Sequence, residues 1–174
     1  GQPQGPTPAA QSPAGSGLEI IFRPDPTIWD GRFANNGWLQ ELPKPLTKIT
    51  WDNAAIFSPA TAARLSLAKE DVVRITLDGR SVDAAVWIEP GHPDDSATVH
   101  FGYGRARGGR FAAGAGFNAY AIRTTGALWI ARGAQIAKTG AKHPLACTQL
   151  HQNMEGRDLV RAANVDEFRK DPAF

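Results

Sequence analysis

Residues 100 to 120 read HFGYGRARGGRFAAGAGFNAY, with six glycines, three arginines, one histidine and no acidic side chain. Three readings fit such a stretch. Backbone N–H groups in glycine-rich turns present donors without side-chain obstruction, and neighbouring arginines grip phosphate oxygens in pairs, which together make an anion cradle. A disordered Arg-Gly tract binds nucleic acid, with Phe101, Tyr103, Phe111, Phe117 and Tyr120 available to stack on bases. The third reading is a long loop. RARGGR is one short cluster framed by apolar, strand-like residues, and aromatics at this spacing more often pack on a core, so no nucleic-acid partner is expected.

Other motifs fail their structural conditions. Gly114-Ala-Gly116-Phe-Asn-Ala119 fits G-x-G-x-x-G/A, but that fingerprint needs a strand before it, a helix after it and an acid about 20 residues later. Here no carboxylate appears before Glu155. His143, Cys147 and His151 form H-x-x-x-C-x-x-x-H, one face of a helix if a helix forms. Three ligands behind Pro144 make a polar surface segment the commoner outcome, and no metal site is expected. Asp94 and Asp95 are adjacent in a turn, and turn chemistry accounts for them. Neither a serine nucleophile elbow nor paired catalytic carboxylates stand out.

Charge is unevenly placed. The net charge is +2, yet Ser96 to Met154 holds seven lysines and arginines and no acid, leaving a balance of −5 elsewhere. Such asymmetry marks a surface that faces an anion or an acidic partner. Cys147 is the only cysteine, which excludes an internal disulfide or a four-cysteine cluster within this chain. No apolar run reaches the length of a membrane span, so no direct membrane insertion is expected. The chain opens on Gly1 and Met154 is its only methionine, which suggests a processed product or a piece of a longer protein.

Those residues need elements to hold them. GQPQGPTPAAQSPAGSG (1–17) is uncharged, rich in Pro and Gly, and reads as a flexible linker. LEIIF (18–22) supplies a strand. The stretch to Asn53 is loop-rich but carries Trp29, Phe33, Trp38, Leu39, Leu42 and Trp51, an ordered excursion packed on a core. AIF (55–57) is a short buried strand, and Ser58-Pro59 caps a two-turn helix. DVVRITL (71–77) and VDAAVWI (82–88) alternate across an Asp78-Gly79 hairpin turn, and ATVHF (97–101) follows. AYAIRT (119–124) and AQIAK (134–138) are further expected strands, and the polar tail from 143 to 174 is partly helical. Short strands, one small helix and frequent turns predict a mainly β fold, a small barrel of six to eight strands.

The order of motifs adds a resemblance. NNGWLQELPKPLTKITWDNAAIFSPATAARLSL, then EDVVRITLDGRSVDAAVWIEPG, then a glycine-rich stretch and GFNAYAIRT resemble the C-terminal domain of the molybdopterin oxidoreductase family over about residues 18 to 160. More narrowly, FRPDPTIWDGRFANNGWLQELPKP and TQLHQNMEGRDLVR are similar to the large iron–sulfur subunit of bacterial alternative complex III, a quinol-oxidising respiratory assembly.

The resemblance implies a double-psi β-barrel over 18–142, which in active members holds a molybdopterin guanine dinucleotide. His100, Gly102, Tyr103 and Gly104 match the family's His-Gly-Trp-Gly-like segment, Asn118 matches its later asparagine, and Arg105 is a phosphate partner. No catalytic or metal-ligating residue is assigned. The family's Gly-Ile/Val-x-x-Gly-Asp turn reads Ser66-Leu67-Ala68-Lys69-Glu70-Asp71 here, without either glycine. The narrower resemblance implies a structural domain that has lost the cofactor, inactive alone. It implies iron–sulfur clusters elsewhere in the parent, and the parent's other domains and further complex subunits as partners. The implied location is periplasmic, on a membrane complex.

Overall fold

A computed structural model describes residues 17–149, 157 and 161–173. The linker expected at 1–17 lies outside the described residues except for Gly17. Six strands close into a barrel: β1 (Leu18–Arg23), β2 (Ala55–Phe57), β3 (Asp71–Leu77), β4 (Arg80–Ile88), β5 (Ser96–His100) and β6 (Ile130–Lys142), in the order β1-β5-β2-β4-β3-β6. The β1–β5 and β2–β4 pairs are parallel and the other pairs antiparallel. This is the mainly β, double-psi type of barrel expected from the sequence.

Alternation builds the wall. In β3, Asp71, Val73, Ile75 and Leu77 are buried on one side, and the β3–β4 turn uses positive φ at both Asp78 and Gly79. Ile20, Phe22, Phe57, Val86 and Val99 complete a single core in which none of these side chains is exposed. At roughly 25 cal/mol per Å² of apolar area, a sealed interior of this kind is the main stabilising term. Ala85, Trp87 and Ile56 point the other way, yet they too are buried, beneath Ile49, Ala54 and Leu145. That outer layer explains why β4 reads as a continuous buried run and not as a simple alternation.

Four short helices are present among the described residues. In α1 (Gly37–Glu41) the Asn36 side chain accepts from the Trp38 and Leu39 amides. In α2 (Pro59–Arg64) Ser58 accepts from the Thr61 amide, and Pro59 occupies the first turn, where its missing N–H costs nothing. α3 (Gly109–Ala112) is a single turn, and α4 (Val165–Lys170) carries a complete capping box from Asn164 and Glu167.

Three expectations change. AYAIRT is not a strand: residues Ala119–Ile122 form a 3-10 turn capped by Asn118, with Ala119 and Ile122 inward. Spacing of inward residues at three cannot be told from alternation over so short a run. AQIAK is the middle of a longer strand, because β6 pairs first with β1 and then with β3 and so closes the barrel. His143, Pro144, Leu145 and Ala146 are not helical; instead Leu145 is buried in the outer layer and Cys147 bridges to Ile49. His151 lies outside the described residues. Among the described residues no group of three potential ligands could hold a metal ion.

The turn before β3 has an unusual backbone. Ser66 (φ 54°) and Glu70 (φ 68°) both hold the left-handed backbone that glycine favours. The turn before β3 therefore holds two non-glycine residues in a conformation best suited to glycine.

Candidate functional site

The glycine/arginine segment leaves β5 at His100 and crosses one end of the barrel over the excursion between β1 and β2. Polar side chains stitch the two together. Buried Asn53 donates from Nδ2 to the carbonyls of His100 (2.9 Å) and Phe117 (3.0 Å), and its Oδ1 accepts from the Phe117 amide (2.9 Å). Asn35 Oδ1 accepts from the Phe111 amide at 3.0 Å, and the Tyr120 hydroxyl donates to the Asp30 carbonyl at 3.1 Å. Arg105 Nη1 donates to the Gly31 carbonyl at 2.7 Å.

Three glycines are consumed by close backbone approach. Gly31 (φ 100°) and Gly102 (φ 99°) pack face to face, so that a Cβ on either would come within 2.8 Å of the other's backbone. A Cβ on Gly104 would overlap the backbone of Phe117 and Asn118, and the Gly104 amide donates to the Ala115 carbonyl at 2.7 Å. At Gly31, Gly102 and Gly104 the missing Cβ thus makes room for another stretch of chain.

Behind them lies a buried ionic cluster that sequence reasoning missed. Asp25 Oδ1 accepts from the Thr27 amide (2.9 Å) and hydroxyl (2.7 Å) and from the Ile28 amide (3.1 Å). Lys44 Nζ sits 3.4 Å from Asp25 Oδ2 and donates to the Tyr103 hydroxyl at 2.8 Å. The two charged side chains are 6% and 0% exposed. Burial lowers the Lys44 pKa, with Asp25 opposing, and burial together with Asp25 raises that of Tyr103. A buried pair is weak evidence for net stability, but removing one partner leaves an uncompensated charge. Only the position of Lys44 within an apolar-rich excursion hinted at this in the sequence.

The six candidates divide between two clefts. Gly102, Tyr103, Gly104, Arg105 and Asn118 come together with Asp30, Arg107 and Tyr120 around a cleft of about 370 Å³. Tyr103 turns its ring inward, towards Ile28, Ala34 and Ala112. Asn118 spends its side-chain oxygen on the Tyr120 amide. His100 is not among them: it lines a separate cleft of about 540 Å³ with Arg23, Lys44, His92 and a wall of prolines. Burial lowers its pKa, opposed by Asp25.

A pyrophosphate cradle needs free amides and glycine faces turned to the ligand. Here the Gly104 amide and the Gly102 and Gly104 faces are taken by the chain itself, so these glycines fit a packing junction and do not fit an open pyrophosphate cradle.

No family model matches the chain, and no curated protein matches it. One similar solved structure is acetylene hydratase from Pelobacter acetylenicus, at 14% identity and a TM-score of 0.40. The likeness covers 49% of this chain, which spans 11% of the length of that one.

Proposed function

We propose that this chain is the C-terminal barrel domain of a molybdopterin-oxidoreductase-like iron–sulfur subunit in a quinol-oxidising respiratory complex, and that it serves as a structural domain which has lost the cofactor. It comprises the barrel over 18–142 with a linker before it and an extension after it. It is inactive alone and faces the periplasm within the parent. The family reading rests on the motif order running from NNGWLQELPKP to GFNAYAIRT, with the closed barrel in agreement. The observation that carries the loss of cofactor is the filling of the cradle: Gly102 against Gly31, and Gly104 against Phe117 and Asn118.

Metal analysis of the purified parent subunit tests this directly. The expected result is no stoichiometric molybdenum or tungsten, and one such atom per polypeptide would overturn it. A second reading, a functional dinucleotide-binding domain, is favoured by the cleft that gathers five of the six candidate positions. Titration with guanosine or cytidine diphosphate discriminates: saturable chemical-shift changes at Gly102, Gly104 and Asn118 would support that second reading.

A further inference from the structure

Most basic side chains on α2, β3 and β6 are held by carboxylates, while Arg80 on β4 donates to the Arg123 carbonyl. Arg64 pairs with Asp95, Arg74 with Asp83, Arg132 with Glu19, and Lys138 and Lys142 both with Asp71. The rim differs. Arg105, Arg107 and Arg110 are exposed, and among the described residues none of them has a carboxylate partner. They follow one another on a segment with no acid of its own, so no carboxylate within the segment pairs with them.

Large apolar side chains are exposed on the excursion this segment packs against, and the Arg110 guanidinium stands 6.0 Å from the Phe111 ring centroid. Phe111 lies against Gly37 and 6.1 Å from the Trp51 ring, at the foot of α1, and is 41% exposed. Trp38, on α1, is 85% exposed, and Phe33 just before it is 50% exposed. The hydrogen bonds from Phe111 to Asn35 and from Arg105 to Gly31 hold the arginine segment and this excursion as one surface. Exposed aromatics interleaved with arginine are the composition of protein-binding hot spots, and an exposed apolar patch of this kind marks an interaction site. Single-stranded nucleic acid also takes aromatics and arginines. However, RARGGR is one short cluster, and the Arg-Gly tracts that bind nucleic acid run longer; Asp30, which shares the cleft with Arg105 and Arg107, is already engaged by Arg32.

We propose that this rim is a docking surface for an acidic segment of another protein domain, whose carboxylates pair with Arg105, Arg107 and Arg110 while an apolar side chain covers Trp38, Phe33 and Phe111. The inference rests on the reading of the chain as one domain of a larger assembly, and it names the chemistry of the neighbour. Uncompensated charge on one partner is met by opposite charge on the other, which sets specificity and association rate.

Photo-cross-linking in the native cell tests it. A photoreactive residue replaces Phe33 in the parent protein, and the cross-linked peptide is sequenced by mass spectrometry. The expected product is one recurring peptide with at least two acidic residues. Its yield should fall roughly tenfold in an Arg107→Glu/Arg110→Glu variant and return when the partner's carboxylates are changed to lysine. Arg107→Lys/Arg110→Lys, which keeps the charge, should retain most of the yield. Both arginines are exposed, so unchanged thermal melting of the variants separates docking from folding. Cross-links to nucleic acid, to lipid, to a second copy of this chain or to a peptide without carboxylates would each overturn the proposal, as would no cross-link at all. Molybdenum in the parent would overturn the cofactor-loss reading without touching this result, and the reverse also holds.

Discussion

The barrel wall and the rim are built by different physics. The wall is a closed ladder whose interior is filled by alternating apolar side chains from β1, β3 and β4. The rim has almost no ladder; Asn53, Asn35, Gln40 and Asp25 satisfy its backbone groups one at a time. Hydrophobic burial tolerates a change of one side chain for another of similar volume. A side chain that bonds three named backbone atoms tolerates none, because the groups it leaves are buried and unpaired. The same barrel end can therefore be rigid while offering an outer face of unpaired arginines and exposed aromatics.

The largest effect expected is on the wall. Phe22 is fully buried and stacks on Phe101 at 5.9 Å, so Phe22→Ala should cost about 4 kcal/mol in chemical denaturation. Glycine substitutions sharpen the contrast. Gly104→Ala places a Cβ into the backbone of Phe117 and Asn118 and should cost about 3 kcal/mol. Gly79→Ala, also at positive φ but with open space around it, should cost only about 1 kcal/mol. Equal losses at the two positions would mean that the rim is loose enough to move aside. Asn53→Ala should cost about 2 kcal/mol, with hydrogen-exchange protection lost first at Phe117.

One change should stabilise. Ser66 holds φ 54°, and its side chain is exposed, so Ser66→Gly should relieve backbone strain and raise stability by about 0.5 kcal/mol. The smallest expected effect is on pH dependence. His92 and His100 both have pKa values lowered by burial from the ordinary 6.5, so the unfolded chain takes up protons first as pH falls. Stability should be level above about pH 6.5 and decline below it. A His92→Gln/His100→Gln double variant should flatten that decline in melting temperatures measured between pH 7.5 and 5.

The wall was legible residue by residue. Val73, Ile75 and Leu77 alternate, Asp78-Gly79 can only turn, and Ser58-Pro59 opens a helix; each statement depends on neighbours within ten positions along the chain. Closure itself came less directly, since β6 earns its length by pairing with strands more than fifty residues away.

The rim was not legible in this way. Gly102 and Gly104 announced a special backbone, but glycine serves equally to admit a phosphate or another strand of chain, and local sequence does not distinguish the two. The approach of Gly31 to Gly102, the burial of Lys44 against Asp25 and Tyr103, and the parting of His100 from its neighbours in sequence are all contacts between segments distant along the chain. Periodicity reports which way a side chain faces relative to its own element. What stands opposite it is set by packing in three dimensions, and there the meaning of the glycine/arginine segment was decided.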